Sequence, residues 1–258
     1  MDILGITETQ FFSFFLIFIR VSGILFAAPL FGDPIVPNQL RLSLGLVLAL
    51  ILTPVIQLNP WSYTPGPFTF VYLVAGELLI GLIIGFAAKL LFAGVQLSGQ
   101  LIGYQMGFAV ANVLDPISGS QVSLFAEFEL LAALMIFLGI NAHHMLIKAI
   151  VNSFQLIPPL QFQPQGILLE KIMAMASQIF ILAVQVGAPA IVVLLFTNVF
   201  FGIMARTVPE MNIFIVAMPL GIAIGLFALG ISMPFFANLL TKTFHILSSD
   251  LMVLMKGM

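Results

Sequence analysis

SGQLIGYQMGFAVANVLDPISGSQ, residues 98–121, sets glycines, amides and a hydroxyl-rich tail in the middle of a chain that otherwise reads as hydrocarbon-compatible. Peptide groups without partners cost on the order of 2–7 kcal/mol each in an apolar medium, so polar, glycine-rich backbone at membrane depth has to be covered by protein or to line a water-filled cavity. A conduit, or the closure of one, is the first reading this stretch supports.

Working outward, the 258 residues are 61% hydrophobic and only 7% charged, against roughly 25% charged in soluble domains. That balance predicts an integral membrane protein. A net charge of −2 without a basic cluster argues against nucleic-acid binding, which needs grouped Lys and Arg to neutralise phosphates. The absence of cysteine excludes disulfides, thiolate catalysis and thiolate metal sites. Asp2 and Glu8 stand where a signal peptide carries Lys or Arg, so the first segment is expected to be retained.

Apolar runs at 11–32, 40–58, 68–92, 124–140, 172–205 and 211–240 are each long enough to compete for a crossing of roughly 17–25 residues. The simple count is six. Short punctuators separate them, among them Gly32-Asp33-Pro34, Asn59-Pro60, Pro158-Pro159 and the stretch from Arg206 to Glu210. Turns that short predict helical hairpins, and the fold class is all-α.

Arg20 lies inside the first run and Glu77 inside the third, while Pro54, Pro189, Pro219 and Pro234 interrupt others. A central charge costs about 2.5–3.5 kcal/mol on insertion scales, so these helices are expected to be interrupted and to face other protein chains, with hydropathy overcounting the crossings. Gly81 and Gly85, Gly221 and Gly225, and Gly99, Gly103 and Gly107 recur at four-residue steps, a spacing that lets helix backbones approach closely. The same spacing serves contact between subunits and packing within one chain. Gln96 and Gln100, with Gln105 near that side, add a polar stripe suited to a wet or tightly packed axis.

Beyond the stripe, Met106, Phe108, Val110 and Leu114 are apolar, and Asp115-Pro116 with Ser118-Gly119-Ser120 stops helix continuation. One reading makes these residues a pore constriction that excludes water until a substrate displaces it. The other makes them an ordinary interhelical loop.

Catalytic constellations are weak. His143 and His144 are adjacent and diverge by about 100° on a helix, so they share no metal without a third partner, and His245 stands alone. Ser118 and Ser120 have no identifiable base. Glu127 and Glu129, two apart, are no carboxylate dyad and are expected to meet Arg20 or Lys148, because buried charges need partners. Neither a phosphate loop nor a dinucleotide fingerprint occurs. The reading is a non-enzyme without cofactor or metal.

Residues 187–221 combine Pro189, Asn198, Gly202, Arg206, Pro209-Glu210-Met211-Asn212 and Pro219 in one order, and Arg20-Val21-Ser22-Gly23, Ala28-Pro29-Leu30, Pro37, Arg41, Glu77 and Asp115-Pro116 accompany them. In this pattern the chain resembles the FliR/SctT family, the R subunits of bacterial type III export gates, with the flagellar branch the closer of the two. The resemblance covers the whole chain, and the segment from Arg206 to Asn212 is its most specific part.

That resemblance implies an inner-membrane subunit of the flagellar basal body that joins P, Q and B subunits (FliP, FliQ and FlhB homologues) in a helical, funnel-shaped assembly passing unfolded flagellar proteins, with membrane lipid around it. It implies that residues 1–165 are P-like, that 166–258 form a Q-like hairpin turning at 206–212, and that 106–121, including Met106, Phe108, Val110, Leu114, Asp115 and Pro116, plug the pore. Arg20, Glu77, Glu127 and Glu129 are then buried charges serving assembly. Arg206, Pro209, Glu210 and Asn212 form the hairpin turn, read either as helix capping or as a contact with the B subunit. The alternative reading is a small-solute secondary transporter with Glu77 or Arg20 at its midplane, which requires two related broken halves. No such internal repeat is visible.

Overall fold

A computed structural model describes residues 8–29, 31–32, 36–56, 66–108, 123–158, 162–163, 166–208 and 212–258. Among the described residues there are seven helices and no strand: α1 (Glu8–Ala27), α2 (Asn38–Leu52), α3 (Pro67–Gln105), α4 (Leu124–Gly139), α5 (Ala142–Leu156), α6 (Gly166–Thr207) and α7 (Ile213–Lys256). The molecule is an all-α integral membrane protein.

The six apolar runs do not give six membrane-length helices, in keeping with the expectation that hydropathy overcounts. Among the described residues four helices, α1, α3, α6 and α7, are long and apolar enough to span a bilayer, or five if α4 and α5 form one broken span. The run at 40–58 builds α2, whose 15 residues reach only about 22 Å at ~1.5 Å per residue, short of a hydrocarbon core of about 30 Å. The run at 124–140 builds α4, which stops at Gly139 ahead of Asn141 in the left-handed region (φ 57°, ψ 29°). By contrast, the run at 68–92 does not stop at its hydropathy edge. It continues as helix through the glutamine stripe to Gln105.

Two compact units divide the chain: residues 1–90, 141–175 and 245–258 form the first, and residues 91–140 and 176–244 the second. In the first, α1 and α3 run parallel, since Phe12 and Phe15 stack on Phe70 while Arg20 meets Glu77 further along both helices. Their buried faces are Leu16, Ile17, Val21 and Ile24 on α1 and Leu73, Ile80, Ile84 and Ala88 on α3. Glycine makes that approach possible: a Cβ at Gly81 would stand 2.5 Å from the Arg20 carbonyl oxygen, and one at Gly85 2.6 Å from that of Ile24. The helix α2 runs back along α1, burying the single stripe Arg41, Gly45, Ala49 and Leu52, with Gly45 against Ser22 and the Arg41 guanidinium 5.5 Å from the Phe26 ring centre.

In the second unit an apolar core gathers Ile102 and Met106 from the end of α3, Phe125 from α4, Ala190 and Leu194 from α6 and Ala228 and Leu229 from α7. A second focus is the ring cluster Phe92, Phe137 and Phe244, with centroids 5.3–5.6 Å apart. Gly99 lets α3 lie against α4, where a Cβ would come within 2.5 Å of the Ala126 Cα. The three glycine series of the sequence thus pack within the chain.

Candidate functional site

Three places hold the residues that the sequence singles out. The first is a buried charge cluster in the first unit. Arg20 is fully buried and donates two parallel hydrogen bonds to Glu77, Nε to Oε2 at 2.5 Å and Nη2 to Oε1 at 2.9 Å. Its Nη2 also donates to the Ile157 carbonyl at 3.0 Å, its Nη1 to Ser153 Oγ at 3.3 Å, and its guanidinium lies 4.0 Å from the Phe154 ring centre. Ser153 in turn donates to the Ile150 carbonyl at 2.7 Å.

This arrangement uses the guanidinium fork for a carboxylate in the geometry that suits it best. It also corrects one expectation: the acid that meets Arg20 is Glu77 and not Glu127 or Glu129. The physical reason lies in the glycine seam, because Arg20 sits three residues before Gly23 and Glu77 four before Gly81, so the close approach of α1 and α3 brings them face to face. Sequence reasoning missed Ser153, Phe154 and Ile157, which carry no pattern of their own. Glu129 is buried on α4 and Glu127 is exposed.

The second place is the end of α3. Gly107 adopts φ +92° and donates its N–H to the Tyr104 carbonyl at 3.1 Å, while Phe108 donates to the Gly103 carbonyl at 3.1 Å. This pair of bonds around a left-handed glycine is a Schellman stop, which satisfies carbonyls that the helix end would leave open. The helix therefore ends at Gln105, ahead of Asp115-Pro116. Met106 is buried in the core of the second unit, and Phe108 packs against the same core with its ring edge-on to Phe125 at 5.1 Å. Val110, Leu114, Asp115 and Pro116 lie outside the described residues.

The third place is the turn between α6 and α7. Arg206 occupies the last turn of α6 and is exposed, with Val208 N–H bonded to the Met204 carbonyl at 3.0 Å. A cation there complements the negative end of the helix dipole. Asn212 is exposed and accepts, through its carbonyl, a bond from Ile215 N–H at 3.1 Å. Pro209 and Glu210 lie outside the described residues.

Within the first unit α6 and α7 run antiparallel, since a Cβ at Gly257 would stand 3.2 Å from the Leu168 nitrogen while Lys171, further along α6, meets Asp250, earlier on α7. In the first unit Lys171 Nζ pairs with Asp250 Oδ1 at 2.7 Å, and in the second Pro189 and Val193 share an apolar groove of about 680 Å³ with Ala223, Phe227, Ile231 and Phe235. Among the four membrane-length helices they are the least covered: 33% and 28% of their most apolar stretches are buried inside the chain, against 39% for α1 and 61% for α3. Phe180, Phe196, Phe200, Phe227 and Ile231 are among the side chains left outside.

Comparison with known proteins completes the description. Residues 11–247 match the family described as bacterial export proteins, family 1. The chain is similar to the flagellar biosynthetic protein FliR of Bacillus subtilis (strain 168), being 38% identical to it over 226 residues that cover 86% of each chain. It is 30% identical over 247 residues to the protein of the same name from Pectobacterium carotovorum subsp. carotovorum, covering 92% of each. With that of Escherichia coli (strain K12) it shares 28% identity over 257 residues, covering 95% of this chain and 96% of the relative.

Proposed function

The chain belongs to the bacterial export proteins, family 1, and on that premise we propose that it is a non-enzymatic subunit of the flagellar protein export gate in the bacterial inner membrane. It assembles with the P, Q and B subunits, FliP, FliQ and FlhB homologues, around a channel for unfolded flagellar proteins. The observation that carries this reading is the family match over 11–247 together with relatives named as flagellar biosynthetic proteins along nearly their whole length.

The part played by each region follows the resemblance. Residues 1–165 act as a P-like wall, held by Arg20 and Glu77, with Glu127 and Glu129 as further assembly charges. Residues 166–258 act as a Q-like hairpin whose turn, with Arg206, Pro209, Glu210 and Asn212, meets the B subunit. The uncovered faces of α6 and α7 support that role, because helices of 42 and 44 residues extend about 63 and 66 Å at ~1.5 Å per residue, roughly twice the hydrocarbon thickness. Lipid covers only part of such a length, and companion chains cover the rest.

The segment 106–121, which includes Asp115 and Pro116, plugs the channel, its apolar residues Val110 and Leu114 closing the pore by excluding water. Deleting residues 110–120 tests this directly: the complex should still form, and cells carrying it should become permeable to small solutes. Unchanged permeability in the assembled deletion mutant would refute the plug. Purification of the tagged chain should bring down P and Q homologues in one discrete complex, whereas a stable, functional monomer would refute the gate itself.

A further inference from the structure

Four contacts converge where α3 ends. Met106 projects into a notch on α7 at Gly225, where a Cβ would stand 2.8 Å from its Cγ and 2.9 Å from its Sδ. One turn earlier on α7, Gly221 leaves the Met106 carbonyl oxygen 3.7 Å from where its own Cβ would be. From α6, Asn198 Nδ2 donates to the Gln105 carbonyl at 3.3 Å, one of the carbonyls that a helix end leaves without an intrahelical partner. Phe108, directed by the Schellman turn at Gly107, rests edge-on against Phe125 of α4.

The chemistry of these contacts is specific. An unbranched thioether fills an irregular gap that a Cβ on α7 would close, and a side-chain amide takes over a backbone acceptor in surroundings that offer few other donors. Both come from the α6–α7 hairpin, while the residues they hold belong to the last turn of α3. The last turn of α3 is therefore held by the hairpin as well as by α3's own capping bonds.

We propose that Gly225 and Asn198 are positioning residues that hold Met106 and Gln105 in a socket, so that the hairpin α6–α7 fixes the point from which the following segment departs. This rests on the plug reading of 106–121, and it gives Met106 and Phe108 the part of anchor while the residues beyond them act as stopper. Anything that shifts α6 or α7 around Asn198 and Gly225, including a companion chain seated on their uncovered faces, then acts on the plug through the socket.

Gly225→Ala is the informative variant. The atoms its methyl would meet, Cε, Cγ and Sδ, all belong to the Met106 side chain and none to backbone, so the side chain and not the helix is what has to give way, and the abundance of the assembled complex is measured beside permeability. In the full complex, at wild-type abundance in its native membrane, this variant should raise permeability to small solutes per assembled complex. Met106→Ala, which removes the anchoring side chain while Gly225 stays in place, should leak in the same way. Asn198→Ala, at an exposed position, should leak on its own.

A residue of merely structural value would lower the abundance of the complex and leave permeability per complex unchanged. If deletion of 110–120 leaks while Gly225→Ala and Asn198→Ala stay tight, the socket is refuted and the plug survives. If the deletion is also tight in the assembled complex, the plug falls and the socket's role falls with it.

Discussion

Arg20 makes the case at the scale of a single side chain. Two charges lie out of water, and they are tolerated because the carboxylate and guanidinium match in a bidentate pair, with Ser153, Ile157 and Phe154 taking up the remaining valences of the cation. Removing one partner strands the other, a change that typically costs about 3–5 kcal/mol. Arg20→Ala should accordingly abolish most of the monodisperse protein recovered in mild detergent, and Arg20→Lys, which loses the fork, should recover only part of it. The double change Arg20→Met with Glu77→Leu should be less harmful than either single change, because no lone charge remains; recovery by size-exclusion chromatography ranks the three. Equal loss in all of them would mean that packing volume, and not charge pairing, governs the cluster.

At the scale of elements, much was legible and some was not. The helical class and the long final pair follow from apolar length, and the structure has α6 ending at Thr207 and α7 beginning at Ile213. The partner of Arg20 was not legible, since hydropathy and spacing within one helix say nothing about which helices touch. The glycines held that information: Gly23 with Gly81 and Gly85 marks the α1–α3 contact, and the charges flank it. α3 ends at Gln105, ahead of the loop read from residue 106 onward, and a left-handed Gly107 with two capping bonds makes the stop. The overcounting of crossings expected from the interrupted runs has its reason here, since hydropathy measures apolar length, whereas α2 is too short and α4 is broken off near Asn141. Because the chain has no native cysteine, paired substitutions read helix register without background. Phe12→Cys with Phe70→Cys should cross-link α1 to its parallel neighbour α3 within one chain, and Lys171→Cys with Asp250→Cys should do the same for the antiparallel α6 and α7. With a short bifunctional thiol cross-linker, which spans the gap that the shortened side chains leave, both should give a faster-migrating band at monomer mass, and a band at twice that mass would contradict the register.

For the molecule as a whole, coverage is uneven: α3 is largely wrapped by its own chain while α6 and α7 expose most of their apolar length. Bulky side chains such as Phe196, Phe200 and Phe227 stand 57–71% exposed, where a helix destined for lipid alone needs no such length. A newly made copy lacking its companions is thus an orphan, with greasy flanks longer than the membrane is thick, and it offers cellular quality-control proteases a substrate. Its steady-state level should follow the scarcest companion and ignore its own rate of synthesis. Pulse-chase labelling would read this as rapid turnover when the chain is overproduced by itself and as persistence when P and Q homologues are made alongside it. The uncovered hairpin would in that way act as a molecular tally, letting the cell keep only as many copies as it has places to put them.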